Sequence, residues 1–172
     1  MNEQSFAAYN ALMNELFKVA DCYYAMMIEF GEADMEGFEI MAKYESKERW
    51  KLGDKIREYI MDNRKKPTLT PKPAPPGGIP TAADALKTAL AHEQNIIKLL
   101  NSGLSQAAQG DPGELYYMGK IKQECMDEYN EIAGYETKMG IPGNSVYYMD
   151  KYLKKKYMYY QESHNPCGEY EK

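Results

Sequence analysis

The sequence predicts an all-α protein: a four-helix bundle with one long crossover and a short fifth helix near the C-terminal end. Three observations carry that reading. Four segments hold apolar side chains in alternating steps of three and four, which is the spacing of one helix face. A proline-rich stretch separates the second of these segments from the third. In three of the four, a glutamate stands at mid-length where a bundle core calls for leucine.

The first helix, α1, is expected over residues 3–30, with Phe6, Tyr9, Met13, Leu16, Ala20, Tyr23 and Met27 along its seam and Gly31 as its stop. Asp34 is the expected cap of α2, which runs to Asp62 with Phe38, Met41, Glu45, Glu48, Leu52 and Ile56 facing inward. Residues 63–80 hold Pro67, Pro71, Pro73, Pro75, Pro76 and Pro80 of the nine prolines. Proline fixes φ and removes a donor, so this is extended chain. A structureless loop of that length in a small domain needs a purpose. Spanning the bundle, so that the next helix runs parallel to α2, supplies one.

Thr81 with Asp84 resembles a capping box for α3, whose seam is Leu86, Leu90, Glu93, Ile97, Leu100 and Leu104. Asp111-Pro112-Gly113-Glu114 opens α4 with proline at the first helical position. Its seam is Met118, Ile121, Cys125, Glu128, Ile132 and Tyr135, and it stops at Gly140 with Pro142 beyond. Asn144 or Ser145 caps the short α5. The chain thus divides into a bundle over 1–143, a C-terminal helix over 144–158 and a flexible tail over 159–172.

Composition narrows the function class. A length of 172 residues suits one domain with a proper core. The net charge of −5 argues against nucleic acid as the partner. No stretch approaches the roughly 20 apolar residues of a membrane helix, and no secretory leader is visible. Cys22, Cys125 and Cys167 lack CxxC spacing and read as reduced thiols, which places the protein in the cytoplasm.

The seam glutamates carry the chemistry. A carboxylate buried alone costs several kcal/mol or more, so each must be protonated, paired or bound to a cation. Carboxylates meeting from several helices inside a bundle are how di-iron proteins hold their metal.

Short motifs sharpen this. Asn10, Met13, Asn14, Tyr23 and Met26 in α1, Met35-Glu36-Gly37-Phe38 at the start of α2, His92-Glu93-Gln94 in α3 and Tyr147-Tyr148-Met149-Asp150-Lys151 in α5 occur in order over residues 10–153. Together they resemble the bacterial non-haem ferritins. The resemblance implies a ferritin-like bundle, self-association into a hollow 24-mer shell, and iron as cargo. It also implies where an oxidation centre belongs. The α1 glutamate position falls on Leu16, the α2 E-x-x-H pair on Arg49 and Leu52, and the α4 glutamine on Cys125. Glu93 and Glu128 keep carboxylates, and Tyr23 matches a neighbouring tyrosine. Leucine has no lone pair and arginine is a permanent cation, whereas two irons bring about four positive charges to offset. The centre is therefore expected to be degenerate, as in the light-chain type of animal ferritin subunit, and an active sister subunit is a candidate partner. One residue rotates a helical side chain by roughly 100°, so Glu15 would replace Leu16 only through a π-bulge, which is not expected.

Two placements of Arg49 are open. In one, its guanidinium replaces the metal between Glu93 and Glu128; in the other, it pairs with Glu45 on an exposed face. Glu48, Glu124, Asp127 and Glu128 match an extra iron site of the resembled ferritins, and an all-oxygen patch suits hard cations. The same residues also fit a solvated helix face, since 26 side chains are acidic. Met26, Met27 and Met41 are core fillers, so no haem is expected. His92 flanks the seam, and Tyr116-Tyr117, Tyr147-Tyr148 and Tyr159-Tyr160 read as interface aromatics. His164 and Cys167 form no metal spacing. Two functions stand: a cage subunit storing or nucleating iron, or a structural protein that keeps the scaffold without iron chemistry.

Overall fold

The computed structural model describes residues 1–75, 78, 81–108, 112–141, 143 and 145–163. Its helices are α1 (Glu3–Glu32), α2 (Glu36–Asp62), α3 (Ala82–Ala107), α4 (Pro112–Met139) and α5 (Val146–Ser163), with no strand among the described residues. Asn2 caps α1 by accepting from Ser5 N–H at 2.8 Å. The Thr81 hydroxyl caps α3 through Asp84 N–H at 3.1 Å, as its sequence predicts. For α5, the Ser145 hydroxyl accepts from Tyr148 N–H at 3.3 Å; Asp111, Pro142 and Asn144 lie outside the described residues.

Asp34 is a correction. It has a φ of 55°, and Asp34 N–H and Met35 N–H return to Gly31 O and Phe30 O at 3.3 and 3.0 Å. That is the left-handed closure of a helix C-terminus, so Asp34 ends α1 rather than starting α2. Met35 occupies the N-cap of α2 and gives no side-chain cap. The cap comes from α5 instead. Asp150 Oδ1 accepts from Gly37 N–H at 2.8 Å and Phe38 N–H at 3.1 Å, placing a carboxylate on the positive end of α2.

Helix directions follow from the contacts. Ala8 packs near Gly103 while Glu15 accepts from Asn95, so α1 and α3 are antiparallel. Lys55 reaches Glu124 and Arg49 approaches Glu128, so α2 and α4 are antiparallel as well. With α1 and α2 joined by a tight turn, α2 and α3 run parallel, which is what the crossover permits. That crossover is held along α1. Asn10 accepts from Thr68 N–H, while Asn14 accepts from Thr70 N–H and donates to Thr68 O, all at 2.8 Å. Lys72 pairs with Asp21 further along, and Gly78 N–H reaches Glu29 at 3.0 Å.

The core is the expected seam with three shifts. Glu48 is only half-buried, and Arg49 takes the inward position beside Glu45. On α3, Ala89 and Ile96 are fully buried and Leu90 and Ile97 only partly so. The third shift lies in α5, which extends past the expected end at 158 to Ser163. Met149, Leu153 and Tyr157, four residues apart, are buried against the bundle, and Tyr160 packs beside them. Tyr159 through Ser163 are therefore helical rather than tail, while 164–172, including His164 and Cys167, lie outside the described residues. Gly37 makes this docking feasible, since a Cβ there would stand 1.8 Å from the Asp150 carbonyl.

Candidate functional site: an arginine among buried glutamates

Arg49, Glu45 and Glu93 are each at most 1% exposed at the middle of the bundle. Arg49 lies four residues after Glu45 on α2, so both point inward together. Arg49 Nε donates to Glu93 Oε1 at 2.9 Å, and Tyr23 OH donates to the same oxygen at 3.1 Å. The guanidinium Nη2 lies 3.9 Å from Glu45 Oε2 and 3.8 Å from Glu128 Oε2, a charge contact rather than a hydrogen bond. Glu45 Oε2, Glu93 Oε2 and Arg49 Nη2 make no hydrogen bond among the described residues. Arg49 is thus buried, as the first placement expects, yet it also keeps the Glu45 contact of the second.

One permanent cation faces three carboxyl groups, and the electrostatics follow from that imbalance. Burial pushes Glu45 well above the usual carboxylate range, and the nearby Glu128 pushes it further. Burial also raises Glu93 and Glu128, with Arg49 opposing in each case. Burial acts to lower Arg49, but Glu93 and Glu45 outweigh it and hold the guanidinium charged. Leu16, Leu52, Cys125 and Tyr23 are all buried in the same core. Burial pushes the Cys125 thiol up to about 12, so it stays protonated, and it raises the Tyr23 phenol well beyond its ordinary value.

Glu48, Glu124 and Asp127 are brought together with Glu128 around a surface cleft of about 420 Å3, with the buried Arg49 at its inner wall. Two lysines interleave with them. Lys51 pairs with Glu48 at 2.6 Å and Lys55 with Glu124 at 2.8 Å, while Gln123 donates to Asp127 at 2.9 Å. Among the described residues, no three His, Cys, Asp or Glu side chains converge as a metal-ligand group. Glu15 faces Lys18 and Asn95 on an unbroken helix and does not enter the core.

Sequence reasoning missed Tyr157. Its hydroxyl lies 2.8 Å from Glu45 Oε1 and 2.7 Å from Glu131 Oε1, which ties α5 to the site. The Met149–Leu153–Tyr157 spacing was the available signal, hidden by the lysines around it. Two tyrosines assigned to interfaces also pack internally: Tyr117 stacks on Tyr59 at 3.8 Å, and Tyr160 lies 5.8 Å from Tyr44. Tyr116, Tyr147, Tyr148 and Tyr159 are exposed.

The family model of the ferritin-like domain matches residues 6–139. The chain belongs to the ferritin-like domain family. Its fold superposes on a ferritin from the green alga Ulva pertusa with a TM-score of 0.84 at 22% identity, covering 90% of this chain and 85% of the algal one. An open pore ferritin from the archaeon Archaeoglobus fulgidus gives the same TM-score of 0.84 at 19% identity, covering 90% and 98%. An engineered closed form of the archaeal protein gives 0.82 at 19% identity, over 90% and 96%. No curated protein matches the chain in sequence. The described helices include none long and apolar enough to cross a membrane.

Proposed function

We propose that this ferritin-like chain is the subunit of a hollow shell that stores iron as mineral, and that it contributes structure and surface rather than a diiron oxidation centre. The observation that carries the reading is Arg49. Its guanidinium lies within 4 Å of all three seam carboxylates, so their charge is already answered by a resident cation. Two ferrous ions in that space would have to displace Arg49 into a core lined by Leu16, Leu52 and Cys125, none of them a hard oxygen ligand. Oxidation then falls to dioxygen at a mineral surface or to an active sister subunit. Shell formation is supported by the exposed side chains of Tyr24, Ile28 and Trp50 on α1 and α2 and of Leu69 on the crossover, apolar surface that a neighbouring subunit would cover. The cleft of Glu48, Glu124, Asp127 and Glu128 is the iron-attracting surface in this reading, and the protein works in the cytoplasm.

A second reading has its own observation. Lys51 and Lys55 neutralise two of the cleft carboxylates, which favours a scaffold that assembles without handling iron. Light scattering with iron analysis after aerobic loading separates the two. The storage reading expects a particle of many copies that accumulates iron slowly. A particle that takes up none favours the scaffold, and a monomer or simple dimer at neutral pH contradicts both.

A further inference from the structure

The chain has 16 tyrosines against 4 phenylalanines and 1 tryptophan, and it uses them where ordinary core packing calls for phenylalanine. Two clusters result. Near one end of the bundle Tyr59 and Tyr117 stack and Tyr9 packs tilted against both; Tyr9 and Tyr117 donate to the backbone carbonyls of Glu114 and Lys55. Against α5, the rings of Tyr44, Tyr157 and Tyr160 form a triangle with centroids 5.2, 5.7 and 5.8 Å apart. Tyr135 adds its hydroxyl 3.5 Å from that of Tyr157, and its ring lies 6.3 Å from the partly exposed Tyr152.

The second cluster differs from the first in one chemical respect: its central phenol has a carboxylate base. Tyr157 is fully buried, and its hydroxyl lies between Glu131 at 2.7 Å and Glu45 at 2.8 Å. A phenol has one proton to donate. Glu131 is ion-paired with Lys156 at 2.8 Å and is held below the ordinary carboxylate range despite the burial that opposes this, whereas Glu45 is pushed well above it. The Tyr157 O–H can point at either carboxylate, and Glu131, the nearer of the two and paired with Lys156, is the one fit to take its proton. Tyr135 also donates to Glu131, at 2.5 Å, but its oxygen accepts directly from the Lys156 ammonium at 2.8 Å, whereas the same ammonium meets Tyr157 only across its ring, 5.8 Å from the centroid, so the charge opposes loss of an electron more at Tyr135.

We propose that Tyr157 is a redox-active tyrosine, a site where an oxidising equivalent reaching the protein comes to rest. A one-electron oxidant takes an electron from the ring and is itself reduced by one unit. The phenolic O–H bond breaks, the proton passes to the Glu131 carboxylate, and a neutral phenoxyl radical remains. Burial keeps that radical from water and from coupling with a second one. Ring contacts through Tyr44 and Tyr160, and the Tyr135 hydroxyl on the other side, connect it toward the surface.

The probe is a photogenerated ruthenium(III) polypyridyl with persulfate as electron acceptor, applied to the metal-free protein and read by electron paramagnetic resonance after freezing at increasing delays. Because no iron is added, the outcome is independent of whether the protein stores iron. A persistent phenoxyl signal is expected in the wild-type protein. It is lost in Tyr157→Phe, reduced in Glu131→Gln, and kept in Tyr9→Phe, whose cluster supplies backbone carbonyls as acceptors. Absence of a persistent signal in wild type, or an undiminished one in Tyr157→Phe, overturns the assignment. If Tyr157→Phe does not fold, Tyr157→3-fluorotyrosine keeps the hydroxyl and must change the hyperfine pattern; an unchanged pattern overturns it equally.

Discussion

Replacing Arg49 with alanine removes the only cation among the described residues within 4 Å of Glu45, Glu93 and Glu128, and the structure gives the scale of the response. In the folded chain the Glu93 carboxylate has two hydrogen-bond donors, Arg49 and Tyr23, and loses the charged one. It then either stays ionised in the core or takes up a proton. Holding a proton at pH 7 on a carboxyl whose ordinary value is 4.5 costs about 3.4 kcal/mol, and at pH 5 about 0.7 kcal/mol. The neutral-pH figure agrees with the roughly 3–5 kcal/mol that breaking a buried ion pair costs. The sign follows from linkage. Glu45, Glu93 and Glu128 are raised by burial, so their contribution to stability is fullest below the ordinary carboxylate value and is lost as pH rises through the raised ones. Arg49 lowers all three, so its removal raises them further and deepens the loss toward neutral pH. Urea unfolding of wild type and Arg49→Ala at half-unit steps from pH 4.5 to 7.5 is the assay. The difference should grow from about 1 to about 3–5 kcal/mol across that range. A difference that stays below about 1 kcal/mol with no trend in pH would refute the buried network.

Three further outcomes follow from the same contacts. Asp150→Ala should cost about 1 kcal/mol, because α2 loses the carboxylate that caps its first turn, and the loss should show in the melting temperature and in faster amide exchange at Gly37 and Phe38. Gly37→Ala should be worse than its helix propensity suggests, since its Cβ would meet the Asp150 carbonyl; Trp50 fluorescence unaffected by the change alongside accelerated proteolysis within α5 would locate the damage at that end. Trp50→Glu, on the exposed α1–α2 face, should leave the melting temperature within about 0.5 kcal/mol equivalent and shift the particle to smaller species by light scattering. An unchanged particle would take that face out of the assembly.

Much of this architecture was legible because the helices are long and strongly periodic. The seams of α1 and α4, the Thr81 cap and the parallel course of α3 all follow from local spacing and proline placement. Where reading failed, the decisive contact came from elsewhere in the chain. Asp34 looks like an N-cap by residue type, but its backbone closes α1, and the α2 cap arrives from Asp150 more than a hundred residues away. A strict three-then-four rhythm puts Glu48 inward; the bundle instead buries the residue four after Glu45, and arginine there looks like a solvated face until its three carboxylate partners are seen together. Tyr157 escaped because the lysines at 154–156 mask an inward face that only the docked helix makes plain. The mid-seam glutamates were visible from the start, yet their number relative to one cation, the quantity that sets the electrostatics, needed the structure.

Stopped-flow absorbance of ferrous ion mixed with the purified chain in air at neutral pH shows directly whether Arg49 holds the place of a metal pair. With Arg49 answering the seam carboxylates, no rapid diferric phase is expected, only slow growth of a mineral-like absorbance that scales with iron added and never saturates at a fixed ratio to the chain. A fast phase saturating at two irons per chain would contradict that expectation, because it would mean that Arg49 yields its place to metal.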